Sequence, residues 1–269
     1  MRAELHQVVT FATDPFHGNP AFVLTVPDTP APEVMMGACE LLGADVIAVI
    51  AAGEGDEPSL GFFTAGGPHP GAGHATMAAA HVALARRGGG EAVRFRLPSG
   101  EQRAARRVEG RIAVDWPPMP FEAVERRDDL ARALGRRPTE SYVAPFGYVA
   151  IFASADDVAG LAPDSARVAA FDRAAVIATA RDGDADVVIR VFAPNVGLPE
   201  DPVCGTAHRI IAPYWSQRLG RPSLHSRHLS KRGGDLWCRV DGDTVTIEGD
   251  SITVVEGMLI LPDDSGAVA

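Results

Sequence analysis

The chain has 269 residues, enough for one large domain or two small ones, and 46% of them are hydrophobic, which is ordinary for a protein with a real core. A net charge of −10 excludes the basic face of a nucleic-acid binder but leaves room for a small anion held by local N–H groups. No apolar run reaches the ~18 residues of a membrane span, and Met1–His6 does not read as an apolar leader. The three cysteines, Cys39, Cys204 and Cys238, form no CxxC pair, so free thiols in a reducing cytoplasm are expected.

Leu5–Phe11 reads as a strand, Asp14–Pro20 as a turn and Ala21–Val26 as a second strand. Pro32–Leu42 has Val34, Met35, Ala38 and Leu41/Leu42 at helical spacing. Val46–Ile50 and Leu60–Thr64 are strands. His74–Arg87 is a helix that is apolar nearly all round, as in a helix surrounded by other structure, and Arg86–Gly90 carries its stop signal. Ala92–Leu97, Gln102–Val108 and Ile112–Trp116 are short strands.

Pro117-Pro118-Met119-Pro120 breaks the pattern and marks a boundary between a lobe of residues 1–117 and one of 118–269, whose last residues can pack back on the first. The grammar then repeats. Asp128–Leu134 is a helix, Ser141–Phe152 one strand-like run, and Ser154–Leu161 a helix. Ala174–Ala180 and Ala185–Phe192 are strands, Gly205–Leu219 is the second central helix, and Asp235–Val240, Thr244–Glu248 and Ile252–Leu261 are strands before a polar tail from Asp263. This predicts an α+β protein of two pseudo-symmetric lobes, each a curved mixed sheet wrapped around a central helix. One mixed sheet with flanking helices is the alternative.

The two central helices both open on glycine, at Gly73-His74-Ala75-Thr76 and at Gly205-Thr206-Ala207-His208. A helix start exposes unpaired N–H groups and about half a positive charge, which suits a carboxylate or a developing oxyanion. Gly73, Gly205 and Thr206 are therefore candidate substrate contacts, and His74 a candidate cap, anion ligand or proton relay. Asp201 reads as a capping carboxylate or proton-transfer partner, and Cys204, at a helix start, as a thiol of lowered pKa. Asn19 sits in a turn where it can orient substrate, and Arg232-Gly233-Gly234 reads as a hairpin turn or a backbone nest with a charge. His81 and His208 read as packed helix residues. The histidines, with Cys204 and His208 at i, i+4, lack the carboxylate set that would complete a zinc site, so no metal is expected.

Gly18-Asn19-Pro20, Phe63-Thr64 with Gly73-His74-Ala75-Thr76, Glu200–His208 and Ser230-Lys231-Arg232-Gly233-Gly234 occur in order. From residue 5 to about 261 the chain resembles the phenazine-biosynthesis isomerase (PhzF-like) family, which is similar in fold to diaminopimelate epimerase and proline racemase. The resemblance implies two lobes with the active site in the cleft between them, no metal or organic cofactor, a homodimer, and movement of a proton at a carbon of a small carboxylate. It also implies a catalytic glutamate in a Ser-Glu-Thr element. Here Ala44 stands at the serine and Asp45 at the glutamate, so the carboxylate is kept but is one methylene shorter. Asp45, just before an apolar strand, is expected to be partly buried and thereby more basic.

The reading is a cofactor-independent isomerase or epimerase with Asp45 as base, and Cys204, Asp201 or His74 on the opposite face of the carbon. A non-catalytic binder that has lost its base, and a thiol enzyme pairing Cys204 with His208, are the rivals. Partners are expected to be a small carboxylate and a second copy of the chain, without nucleic acid or membrane.

Overall fold

A computed structural model describes residues 1–53, 57–86, 88 and 90–262. The expected tail, and Arg87 and Gly89 of the expected helix stop, lie outside the described residues. The chain forms two compact units, residues 1–115 with 248 onward, and residues 116–247.

The first unit opens with β1 (Arg2–Thr10) and β2 (Asn19–Val26), an antiparallel pair. Helix α1 (Pro32–Leu42) follows, begun by a proline whose missing N–H costs nothing in a first turn and ended by Gly43 at φ 59°. It crosses to β3 (Ile47–Ala51), parallel to β2, and β4 (Ser59–Thr64) returns antiparallel. The two-residue β5 (Gly67–Pro68) folds back on β4 and leads into α2 (Gly73–Arg86). Then come β6 (Ala92–Arg96), parallel to β4, β7 (Gln102–Val108) and β8 (Arg111–Trp116), each antiparallel to its predecessor. On one sheet face α1 packs Met35, Ala38 and Cys39 against Leu24, Ile47, Val49 and Phe63. Helix α2 is buried from Ala75 to Leu84 except at half-buried His81, as its largely apolar sequence requires.

The second unit begins with β9 (Glu122–Ala123) and α3 (Arg127–Leu134). It then repeats the plan of the first. The antiparallel pair β10 (Glu140–Val143) and β11 (Gly147–Ile151) is followed by two short helices, α4 (Ala155–Ala159) and α5 (Ser165–Ala169). Strand β12 (Ala175–Arg181) runs parallel to β11, and β13 (Val187–Ala193) antiparallel to β12. Short β14 (Leu198–Asp201) folds back on β13 and leads into α6 (Gly205–Leu219). Then β15 (Ser223–His228) lies parallel to β13, β16 (Gly234–Asp241) antiparallel to β15, and β17 (Thr244–Gly249) follows. The last strand, β18 (Ser251–Ile260), pairs with β1 of the first unit, as β9 pairs with β10 in the second. The fold is α+β, with one long buried helix in each unit.

The structure corrects several expectations. The run Ser141–Phe152 is a hairpin, because Ala144-Pro145-Phe146 turns the chain between β10 and β11 and Ala144 N–H closes it on the Gly147 carbonyl at 2.9 Å. Helix α5 and strands β5, β9, β14 and β15 go beyond the expected elements; each is short or carries polar residues. Helix α6 contains Pro213, which cannot donate to the Arg209 carbonyl four residues back. Met119 N–H takes that acceptor at 2.9 Å, and the Arg209 guanidinium donates to the Pro117 carbonyl at 2.9 Å, so the Pro-rich segment is bonded to the helix at its proline.

Gly18 closes the β1–β2 connection at φ +73°, and a Cβ there would lie 2.3 Å from the Thr10 carbonyl oxygen. Gly18→Ala is expected to destabilise the protein by about 2 kcal/mol or more, lowering Tm by several degrees in a thermal melt; an unchanged melt would show that the turn relaxes freely.

Candidate active site

In the first unit the candidate residues gather at one end of the sheet. Asn19 lies three residues before Phe22 and Asp45 two before Ile47, and Phe22 and Ile47 are level across the parallel β2–β3 pair. Asn19, the first residue of β2, and Asp45, just before β3, therefore lie at the same end of the sheet. Helix α2 points its N-terminus to that end. Its last residue, Arg86, ion-pairs with Glu4, and His81 bonds Thr253, which is level with Val8, so the helix start lies further along, toward Thr10 and Asn19. Asn19 is buried, and its carbonyl accepts from the Thr10 hydroxyl at 3.1 Å.

Asp45 is exposed, not partly buried as expected. Helix α1 ends at left-handed Gly43, the chain bends outward at Ala44–Asp45, and burial begins only at Val46. His74, in the first turn of α2, is half-buried. Burial, with the charge of His69 adding, lowers its pKa to about 4, so it is a neutral imidazole near pH 7.

The two helix starts are built on one plan. Residues 69–76, His-Pro-Gly-Ala-Gly-His-Ala-Thr, align with 201–208, Asp-Pro-Val-Cys-Gly-Thr-Ala-His. His69 Nδ1 accepts from the Gly71 N–H at 3.2 Å, and Asp201 Oδ1 accepts from the Val203 N–H at 3.1 Å. The Thr76 hydroxyl donates to the Ala72 carbonyl at 2.9 Å, and His208 Nδ1 bonds the Cys204 carbonyl at 2.9 Å. Neither helix has an acidic residue in its first turn, so neither positive end is neutralised from within.

In the second unit Cys204 occupies the cap position without a side-chain capping bond. Its thiol is not acidified as expected. Burial and the adjacent Asp201 carboxylate, which it hydrogen-bonds, raise its pKa well above the ordinary value, outweighing the N–H groups of Thr206 and Ala207. His208 is not a base for this thiol. One ring nitrogen bonds the Cys204 carbonyl, the other bonds the Ser226 hydroxyl at 2.8 Å, and burial lowers its pKa to about 4. Since a carbonyl only accepts, Nδ1 must carry the proton. Sequence reasoning passed over Ser226 because nothing local marks it; the strand that carries it was not recognised.

Half-buried Arg232 and Gly233 lie in the loop after β15. The Ser230 hydroxyl donates to the Pro202 carbonyl at 2.7 Å and accepts from the Gly233 N–H at 3.0 Å, tying that loop to the chain entering α6. Among the described residues no three His, Cys, Asp or Glu side chains converge as metal ligands, and no helix is long and apolar enough to cross a membrane.

The sequence matches the phenazine biosynthesis-like protein family over residues 8–257. The chain belongs to that family. An uncharacterized isomerase of Pseudomonas aeruginosa is 37% identical over 97% of this chain and all of its own length. A crystal structure of a PhzF-family protein from Enterococcus faecalis is similar at a TM-score of 0.91, with 30% identity, covering 97% of this chain and all of that one. A hydroxyproline epimerase from Agrobacterium vitis, solved with bound trans-4-hydroxy-L-proline, shares the fold at a TM-score of 0.60 and 14% identity, covering 99% of this chain and 93% of that one. This family member is an enzyme of the isomerase class.

Two outcomes are expected. His208 is neutral when folded and titrates near the ordinary value of about 6.5 when unfolded. Its contribution to stability is full above pH 6.5 and is lost as pH falls toward 4, about 2 kcal/mol by pH 5. The loss of urea stability between pH 7 and 5, compared between the protein and His208→Gln, measures this against the other buried histidines, and an equal loss in both would show that His208 contributes none of it. Iodoacetamide at pH 8 should modify Cys204 at least about tenfold more slowly than in the unfolded chain, read by peptide mass spectrometry; rapid modification would contradict the raised pKa.

Proposed function

We propose that this enzyme is a cofactor-independent isomerase or epimerase that moves a proton at a carbon of a small amino-acid-like or hydroxyanthranilate-like carboxylate. The observation that carries the reading is the pair of helix starts built on one plan, whose N–H groups meet no acidic residue in the first turn of their own helix. Such groups hold a carboxylate and stabilise the oxyanion that develops when an adjacent carbon loses its proton.

Asp45 is the base. Its exposure lets it meet a substrate carbon from solvent, and it precedes β3 at the sheet end toward which the α2 start points, which supports this reading. Neutral His74 hydrogen-bonds the substrate without adding a charge. Gly73, Gly205 and Thr206 contribute N–H groups and a hydroxyl, and Arg232 with Gly233 closes the second set.

Asp45 returning its own proton at another carbon gives a 1,3 shift. Delivery from Cys204, Asp201 or His74 gives epimerisation. A thiol held protonated beside a carboxylate suits the role of acid better than that of nucleophile. The enzyme works in the cytoplasm as a homodimer.

The test is deuterium incorporation in D2O with L- and D-amino acids, hydroxyprolines and dihydro-hydroxyanthranilate. Exchange at one carbon, lowered at least about a hundredfold in Asp45→Asn with the fold intact by circular dichroism, is expected. Full exchange in the variant would remove Asp45 as base.

A further inference from the structure

Beside the α2 start the first unit has a cavity of about 270 Å³. Its floor is buried Gly61, Phe62 and Phe63, and its rim Pro68, His69, Pro70, Pro98 and Ser99. The sheet opens there. Among the described residues strand β4 is paired with β6 at Ser59 and with β5 at Phe63–Thr64, and between them the His69 N–H reaches the Phe62 carbonyl, at 2.8 Å.

The internal repeat shows what is missing. Gly71 aligns with Val203, whose side chain is fully buried in the second unit. A Cβ built on Gly71 would meet nothing within 4 Å. Gly71 is exposed and does not itself line the cavity, so the side chain that covers the second helix start on this flank has no counterpart over the first. The lining is two phenylalanines and three prolines, with His69 and Ser99 as its polar members, and a cavity of about 150 Å³ already holds a benzene ring. From Pro70 on the rim to Gly73 at the helix start is three residues, at most about 10 Å of chain. His69 on the same rim is close enough to His74 to act on it electrostatically.

We propose that this cavity is the subsite for an apolar, ring-sized side chain of the carboxylate substrate, whose charged end lies at Gly73 and His74. The assignment rests on the functional reading above and narrows it to carboxylates bearing an aromatic or large aliphatic group. Its walls are preformed, so a ring gains burial there without ordering a loop.

The test uses phenylacetate and acetate as probes, with amide NMR on the full chain. Phenylacetate is expected to shift Phe62, His69 and Ser99 together with Gly73 and His74, and to bind at least about tenfold tighter than acetate. Ser99→Trp, at an exposed rim position, fills the cavity and should erase that advantage while leaving acetate binding unchanged; Ser99→Ala should retain it. Phenylacetate binding no tighter than acetate, shifts absent from Phe62, His69 and Ser99, or an unaltered advantage in Ser99→Trp would each overturn the subsite. Acetate shifts at Gly73 and His74 without any gain from the ring would remove the subsite and leave the anion-binding start in place. Ring binding in the cavity with no carbon-proton exchange on any tested substrate would remove the catalytic reading and leave the subsite.

Discussion

The structure depends on how each unit builds the start of its buried helix, where the first N–H groups have no carbonyl partner within the helix. A buried helix end without partners is costly, and the usual remedy is a side chain that caps the free N–H groups. Here the bonds are placed differently. The side chain four residues into the helix holds the carbonyl just before the opening glycine, by Thr76 in one unit and His208 in the other. The residue before the proline is spent on the N–H two positions later, by His69 and Asp201. These bonds fix the peptide geometry around the start without occupying the helical N–H groups themselves.

Two copies of this device have been filled with different chemistry. The first carries imidazoles, one of them held neutral by burial. The second carries a carboxylate, a thiol and a hydroxyl. The pairing of Asp201 with Cys204 shows why a position at a helix start does not settle a thiol's acidity. The helix N–H groups favour thiolate, but loss of water and one adjacent negative charge act against it and win. The same loss of water keeps His208 uncharged, so a ring that looks ionisable serves as a fixed donor and acceptor.

Much of the fold was legible because local and long-range signals agree. Helix α1 begins at Pro32 and ends before Gly43 as its sequence states. Helix α2 is apolar over most of its surface, and most of its residues from Ala75 to Leu84 are buried. The elements that escaped notice lack such agreement. Strand β15, Ser-Leu-His-Ser-Arg-His, alternates but carries one apolar residue, and its inward Ser226 and His228 are buried because a helix covers them. The hairpin of β10 and β11 turns on apolar residues. The motifs of the site could be located from sequence, since glycines and prolines mark them, but their electrostatics could not. Exposure of Asp45 and burial of Cys204 are set by how the flanking chain enters its sheet or helix.

Pro213 frees one carbonyl inside α6, and the segment that enters the second unit uses it. The Met119 N–H thus stands in for the amide that proline lacks. Any other residue at position 213 would bring its own N–H to the same oxygen, which can accept both only by sharing its two lone pairs between them. A substitution that improves the helix on its own terms therefore loosens the bond that ties the entering segment to it.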